Sequence, residues 1–255
     1  MYSMNKRIKN IFTFSMISLL ITTIFLLTFK IVTTEKPEQI RYSEPAAIRV
    51  KAMVLPVVKL SHRGERIADG SKFSTSATGF SISYDVRSDS SLILTNDHFC
   101  RDIDPHSSLV IENYNREQID WSEEDSDLKV MKTSPALDLC IIQARGFIKP
   151  VKIIDDLYYP QIFEKVYIIG APAGDFPIIL DTYISSFLDR NKVGIPPLSL
   201  YGNKFIMVSE EILPGHSGSP VYTLDGEVIG ILFGALPHYG GIAVSADDIK
   251  FFLDN

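Results

Sequence analysis

The sequence predicts an all-β globular domain that ends in one helix and is preceded by a single transmembrane helix. Three observations carry this prediction. Short runs of β-branched and aromatic residues recur between Gly, Pro, Asn and Asp residues along most of the chain. The last residues instead repeat apolar side chains at helical spacing. Near the N-terminus, 19 consecutive residues carry no charge.

The uncharged segment runs from Ile11 to Phe29. As a helix with a rise of about 1.5 Å per residue it spans roughly 28 Å, which matches the hydrocarbon thickness of a bilayer. Lys6, Arg7 and Lys9 precede it, so the positive-inside rule keeps the N-terminus in the cytoplasm and places the following chain across the membrane. A cleaved secretory signal is the alternative, but its apolar stretch is usually only about 7–15 residues long. The sequence therefore favours an uncleaved signal anchor.

The chain divides into four predicted parts. Residues 1–10 form a cytoplasmic N-terminus, 11–32 the transmembrane signal anchor, 33–49 a linker and 50–255 one domain. The linker is polar and contains two prolines without an apolar period. No internal repeat or second linker follows, so one domain is the simplest partition.

Composition excludes several classes of protein. With 45% hydrophobic and 22% charged residues, the chain is not a disordered protein, a collagen-like fibre or a small disulfide-stapled toxin. Beyond residue 30, 21 Lys and Arg stand against 31 Asp and Glu, a net charge of −10 that argues against a nucleic-acid partner. The five histidines are dispersed, and no H-x-x-x-H or C-x-x-C pair supplies metal ligands. We expect no metal and no cofactor.

Eight runs are predicted as strands of an antiparallel barrel or sandwich. They are Val50–Leu60, Thr78–Tyr84, Ser91–Thr95, Leu139–Gln143, Lys165–Gly170, Phe205–Val208, Glu227–Phe233 and Ile242–Val244. The final segment is predicted as a helix, because Ser245 can cap it and two aspartates suit its first turn. Ile249, Phe252 and Leu253 then fall on one face.

Three short motifs follow in the order His, Asp, Ser. LILTNDH ends an apolar strand in a polar turn at His98, and ALDLCII opens an apolar strand with Asp138, whose charge near a core requires a partner. PGHSGSP flanks Ser217 with two glycines, which allow adjacent backbone N–H groups to converge as an oxyanion hole requires. This order is one of the convergent arrangements of the catalytic triad.

These motifs resemble those of the trypsin-like peptidases, particularly the high-temperature-requirement (Deg-type) branch. TNDH is similar to the T-N-x-H of that family, DLCII to its D-L-A-L-L and PGHSGSP to its P-G-N-S-G-G-P. Further similarity lies in the strand TGFSI, in IIGAPAG, in DGEVIGI after the serine and in GIAVSA before the final helix. The resemblance covers most of residues 50–255.

The resemblance implies a chymotrypsin-like double β-barrel with the active site in the cleft between the barrels. Ser217 would be the nucleophile, His98 the general base and then acid, and Asp138 the residue that orients the imidazole. Backbone N–H groups of Gly215, His216 and Ser217 would form the oxyanion hole. The chain would then be a serine endopeptidase acting on polypeptides in the periplasm or outside the cell. The alternative is a proteolytically inactive binding or scaffolding module.

The same resemblance implies a primary specificity pocket with apolar walls. Its residues would be Leu213, Pro214, Leu232, Phe233, Gly234, Gly241 and Ile242. Two glutamates lie close by in sequence, and an inward-pointing Glu211 would select a basic side chain instead. A solvated acidic loop is the simpler interpretation and is favoured.

Ser219 replaces a glycine of the family pattern, a smaller change, and three further features qualify these expectations. His216 replaces the usual Asn or Asp; it either makes the loop sensitive to pH or, as we favour, tethers the backbone as a neutral ring. Cys100 and Cys140 each lie two residues after a predicted triad residue, and are either a disulfide that pins the triad or two buried thiols. The chain stops at Asn255, so we expect none of the PDZ domains that Deg-type enzymes usually carry.

Overall fold

The computed structural model describes residues 51–65, 72–101, 103, 108–121, 129–155, 158–189 and 204–255. The predicted cytoplasmic segment, signal anchor and linker lie outside these residues. Within the described ranges, no helix is long and apolar enough to cross a membrane.

Seven antiparallel strands form the N-terminal sheet, in the order β5-β4-β1-β2-β3-β7-β6. Their bounds are β1 Val57–Glu65, β2 Lys72–Asp85, β3 Ser90–Thr95, β4 Ser108–Glu112, β5 Gln118–Trp121, β6 Lys129–Ser134 and β7 Leu139–Arg145. The interior strand β3 is buried at five of its six positions, as expected for a strand with a neighbour on each side. In the part of the chain that is described, no pairing joins the edge strands β5 and β6.

The C-terminal sheet closes into a barrel. Its strands are β8 Lys152–Ile153, β9 Lys165–Gly170, β10 Ile178–Asp189, β11 Lys204–Val208, β12 Pro220–Tyr222, β13 Glu227–Leu236 and β14 Gly240–Ser245. The strand β12 pairs with both β9 and β13, so six strands form a ring through β10, β11 and β14. The short β8 adds to β13 in parallel outside the ring. Closure leaves this sheet without free edges within the ring.

Among the described residues, two longer α-helices complete the fold, beside a helical turn at residues 51–54 and the 3₁₀ helix Pro172–Gly174. The helix α1 (Asp97–Arg101) follows β3, and α2 (Ala246–Asp254) follows β14. The predicted C-terminal helix is confirmed: Ser245 accepts the Asp248 N–H as N-cap, and Ile249 and Phe252 are buried. The ammonium group of Lys132 in β6 donates to the carbonyl oxygen of Phe252 and lies 4.8 Å from the centre of its ring. This contact docks α2 on the edge of the N-terminal sheet.

A shared hydrophobic core joins the two sheets. It includes Phe80 and Leu94 from the N-terminal sheet together with Ile231 and Val244 from the C-terminal sheet. Two further clusters each fill one sheet alone. The prediction of an all-β domain with one C-terminal helix is therefore confirmed.

One predicted strand is wrong over its first half. The run Val50–Leu60 is helical at residues 51–54 and extended only from Val57. The Leu55 N–H donates to the carbonyl oxygen of Lys51 at 3.3 Å, which closes a helical turn. Pro56 then separates this turn from the strand, because it has no N–H to continue the helix.

Candidate active site

The register of two neighbouring strands brings His98 and Asp138 together. The strands β3 and β7 are antiparallel, with Thr95 opposite Cys140. His98 lies three residues beyond Thr95 in α1, and Asp138 lies two residues before Cys140 in the turn that precedes β7. Both residues therefore emerge at the same end of the N-terminal sheet.

Asp138 holds His98 through two hydrogen bonds. Its Oδ2 lies 2.7 Å from Nδ1 of the ring, and its Oδ1 accepts the backbone N–H of His98 at 2.8 Å. The Asn96 side-chain amide donates to the Asp138 carbonyl oxygen at 3.0 Å and so fixes the turn. Because a carboxylate only accepts hydrogen bonds, this contact places a proton on Nδ1 and leaves Nε2 as the nitrogen that takes a proton.

A disulfide joins Cys100 and Cys140 immediately beside this pair. Both cysteines are buried in the core of the N-terminal sheet. Since Cys100 lies in α1 and Cys140 in β7, the bond ties together the two elements that carry His98 and Asp138. Such bonds persist in oxidising compartments.

We expect removal of this disulfide to lower the free energy of unfolding by about 2–4 kcal/mol, because it constrains a loop with a sequence separation of 40 residues in the unfolded chain. For a domain of 150–250 residues this corresponds to a fall in Tm of roughly 4–16 °C. Thermal melting of the double variant Cys100→Ser/Cys140→Ser, beside the wild type with and without reductant, measures the effect. Identical melting in all three samples would contradict the prediction.

Ser217 lies in a tight loop between β11 and β12. The Ala173 N–H donates to the carbonyl oxygen of Pro214, in the peptide before Gly215, at 2.7 Å. The Ser219 N–H donates to the carbonyl oxygen of His216, in the peptide before Ser217, at 2.8 Å. In a trans peptide the N–H points opposite to the C=O, so the Gly215 and Ser217 N–H groups point away from these partners. Within the described residues neither N–H has an acceptor. Two unpaired N–H groups beside a serine suit a developing oxyanion.

His216 is the third residue that the resemblance places in the oxyanion hole, and its backbone N–H is already paired. Its backbone N–H donates to the carbonyl oxygen of Leu213 at 3.1 Å. The residue is only 2% exposed, and Nδ1 of its ring lies 3.3 Å from both the N and the O of Leu213. Burial lowers the pKa of His216, while the hydrogen bond with the Leu213 carbonyl opposes this shift. The geometry favours the neutral backbone tether over the pH-sensitive loop.

The buried imidazole should nevertheless make stability depend on pH. Since its pKa is lower in the folded protein than in the unfolded chain, the stability it supports is complete above the unfolded value of about 6.5 and is lost as the pH falls through the folded value. We expect the Tm of the wild type to fall more steeply between pH 7 and pH 5 than that of His216→Asn. His238→Asn, at an exposed histidine, should keep the wild-type slope. Parallel curves for wild type and His216→Asn would contradict this.

The serine loop is seated against the N-terminal sheet. The Thr78 N–H in β2 donates to the Ser217 carbonyl oxygen at 2.7 Å, and the Thr95 hydroxyl at the end of β3 donates to the Thr78 carbonyl oxygen at 2.7 Å. Gly218 has a φ of +84°, and a Cβ there would lie 1.9 Å from the same Thr78 oxygen. Only glycine fits so close an approach. Ser217 therefore lies beside the strand end that leads to His98.

The predicted pocket residues are distributed unevenly. Leu213 and Pro214 are exposed next to the serine loop. Leu232 is fully buried in the core of the C-terminal barrel, so a substrate would not reach it, and Ile242 is only 6% exposed. Glu211 is exposed, which favours the solvated acidic loop over an inward-pointing charge.

The remaining pocket residues lie where β13 and β14 pair. A Cβ at Gly234 would meet nothing within 4 Å, so the backbone there faces open space. A Cβ at Gly241 would lie 2.4 Å from the side chain of Ile212. Sequence reasoning missed Ile212, because its approach to a glycine 29 positions later depends on the tertiary fold. Phe233 packs on Phe205, with ring centres 4.9 Å apart.

The domain has two sheets, of which one closes into a barrel. A His–Asp pair lies at one sheet and a glycine-flanked serine at the other. This is the architecture of a chymotrypsin-like serine peptidase. The chain belongs to the trypsin-like peptidase domain family, which matches residues 77–231. In the described ranges, no group of three His, Cys, Asp or Glu residues is placed to hold a metal ion.

Curated proteins similar to this chain include bacterial endoproteases. A probable periplasmic serine endoprotease, DegP-like, of Pseudomonas putida (strain GB-1) is 27% identical over 177 residues, covering 69% of this chain and 32% of that protein. A protein of the same description from Marinomonas sp. (strain MWYL1) is 31% identical over 159 residues, covering 62% of this chain and 29% of that protein. The chain thus spans about a third of the length of the curated relatives it matches.

Solved structures share the fold. The active form of a protease from M. tuberculosis superposes with a TM-score of 0.61 at 19% identity, covering 83% of this chain and 86% of that one. A serine endoprotease from Yersinia pestis superposes with a TM-score of 0.60 at 20% identity, covering 82% and 65%. Both support the chymotrypsin-like fold.

Proposed function

We propose that this protein is a membrane-anchored serine endopeptidase that hydrolyses peptide bonds in extracytoplasmic proteins through His98, Asp138 and Ser217. The observation that carries the proposal is the Asp138–His98 contact at 2.7 Å beside a serine loop with two unpaired N–H groups. Family membership and similarity to proteins named periplasmic serine endoproteases support it.

The first half of the reaction forms an acyl-enzyme. Nε2 of His98 takes the proton of the Ser217 hydroxyl as its oxygen attacks the substrate carbonyl carbon. The N–H groups of Gly215 and Ser217 stabilise the resulting oxyanion, and Asp138 stabilises the imidazolium through Nδ1. The C–N bond then breaks, and His98 gives its proton to the leaving amine.

The second half regenerates the enzyme. A water molecule loses a proton to Nε2 of His98 while its oxygen attacks the acyl carbon. The tetrahedral intermediate uses the same two N–H groups, and its collapse releases the carboxylic acid as the proton returns to Ser217. The partial exposure of His98, 40% for its side chain, gives that water access.

The proposed domain order places this chemistry outside the cytoplasm. Residues 1–10 remain cytoplasmic, 11–32 anchor the protein, 33–49 form the linker and 50–255 the peptidase domain. Basic residues before the apolar segment and the disulfide at the site both support this topology. A mature N-terminus near residue 35, found by mass spectrometry of the purified protein, would exclude the anchor.

Labelling with a fluorophosphonate probe tests the proposed activity, because only an activated serine reacts. We expect the full-length protein to be labelled and Ser217→Ala to remain unlabelled. Ser219→Ala, which removes the buried neighbouring hydroxyl, controls for loss of a serine in the same loop and should still be labelled. A folded wild type that does not react would favour the inactive binding module.

A further inference from the structure

One buried hydroxyl connects the N-terminal sheet to the serine loop and to the segment after β9. Thr78 is fully buried in β2. Its Oγ1 donates to the Gly215 carbonyl oxygen at 2.8 Å and accepts the Ala171 N–H at 3.0 Å. Its backbone N–H donates to the Ser217 carbonyl oxygen at 2.7 Å. One residue of the N-terminal sheet thus contacts three backbone groups in two segments of the C-terminal barrel, the serine loop and the segment after β9.

Gly215 is the position in the loop that most needs such support. Its φ is +100°, and glycine has the widest backbone freedom of any residue. The peptide before it is held by the bond from Ala173 to its carbonyl oxygen. The peptide after it is held at its carbonyl oxygen by the Thr78 hydroxyl. The Gly215 N–H belongs to the first of these peptides, and the Thr78 bond limits its rotation by fixing the peptide on the other side of the Gly215 Cα.

We propose that Thr78 is a positioning residue for the oxyanion hole, acting through its hydroxyl on the peptide that follows Gly215. The inference rests on the proposed function, because it assumes that the Gly215 N–H binds the oxyanion. A backbone bond alone would permit any residue at position 78, whereas the two hydroxyl contacts require Thr or Ser. Ala171 and Gly215 belong to different loops, so the hydroxyl also sets the spacing between them.

Thr78→Val tests this by removing the hydroxyl while keeping the shape of the side chain. It leaves a buried carbonyl and a buried N–H unpaired, so some stability is lost as well. Ser91→Ala provides a matched control, because the Ser91 hydroxyl donates to the Gly146 carbonyl oxygen at 2.8 Å and accepts the Ile148 N–H at 2.9 Å. Ser91 is also fully buried, but it lies four residues before Thr95, about 13 Å along β3 from the end of the strand that leads to His98.

We expect Thr78→Val to lower kcat on fluorescently labelled casein by about 10–100-fold with KM changed less than about threefold, since full loss of one oxyanion donor costs about 10²–10³. Affinity for phenylboronic acid, whose tetrahedral serine adduct occupies the oxyanion hole, should fall by a similar factor. Thr78→Ser should restore both quantities to within about threefold. Ser91→Ala should lower Tm as Thr78→Val does but leave kcat and boronate affinity near the wild type.

The outcomes separate the two proposals. A wild type that neither reacts with fluorophosphonate nor cleaves casein overturns the proposed function and this inference together. An active wild type whose kcat and boronate affinity are unchanged in Thr78→Val overturns the inference alone, as does an equal loss in Ser91→Ala. If Thr78→Val does not accumulate as folded protein, Thr78→Cys carries the same test, because its thiol is similar in size but a weak donor.

Discussion

Replacing Asp138 by Asn should lower kcat by about 10⁴ while leaving the fold intact. The Asn oxygen can still accept the backbone N–H of His98, which Oδ1 of Asp138 accepts at 2.8 Å. The amide nitrogen then faces Nδ1 in place of Oδ2 and donates to it. Nδ1 must therefore be unprotonated, the proton moves to Nε2, and His98 no longer accepts the proton of Ser217. Casein hydrolysis and the rate of fluorophosphonate labelling measure the loss.

Asp97→Asn is the matched control for this variant. Asp97 precedes His98, is fully buried, and contacts the Arg101 guanidinium through Oδ2 at 2.7 Å. Its removal deletes a neighbouring negative charge without changing the Nδ1 partner, so kcat should stay within about tenfold of the wild type. If Asp138→Asn cleaves casein as fast as Asp97→Asn, the tautomer argument and the role of Asp138 both fail.

A methyl group at Gly218 should lower kcat by about 10²–10³, because it displaces the serine loop as a unit. The added Cβ would lie 1.9 Å from the Thr78 carbonyl oxygen and 2.5 Å from the Thr95 hydroxyl, so the loop must move away from the N-terminal sheet. That movement shifts Ser217 relative to His98. Kinetics of Gly218→Ala, together with its Tm, measure the effect.

Gly146→Ala separates backbone strain from the clash. Gly146 has the same φ of +84°, but a Cβ there would meet nothing within 4 Å. This variant should lower the free energy of unfolding only by the strain of an alanine in the left-handed region, about 1–2 kcal/mol, and should keep the wild-type kcat. Equal kcat values for the two alanine variants would show that the close approach at Gly218 does not set the position of Ser217.

The strands that sequence could predict are those with continuous apolar runs. The buried strands β3, β7 and β9 were recognisable because each contains consecutive aliphatic residues. The strand β6 was missed, because its sequence KVMKTS lies on a sheet edge and is mostly exposed. The strand β10 was missed although it has 12 residues, since a register shift between Ile184 and Ser186 interrupts its alternation.

The candidate site residues were predictable where each lies in a short sequence motif. His98, Asp138 and Ser217 each stand in a local pattern, and the register of β3 with β7 does bring the first two together. The contribution of Thr78 was not predictable, because it depends on how β2 approaches a loop 137 residues away. The bond that pairs the His216 backbone N–H with the Leu213 carbonyl oxygen likewise depends on a turn geometry that composition does not specify.

The pairing of Thr95 with Cys140 has a consequence for how this enzyme could diversify. The strand register and the disulfide clamp both ends of the intervening chain, so its length is not coupled to the distance between acid and base. Loop closure also costs little more as a loop grows, about 0.6 kcal/mol for each doubling. A module inserted in the connection between β5 and β6 would therefore leave the contact between Asp138 and His98 in place.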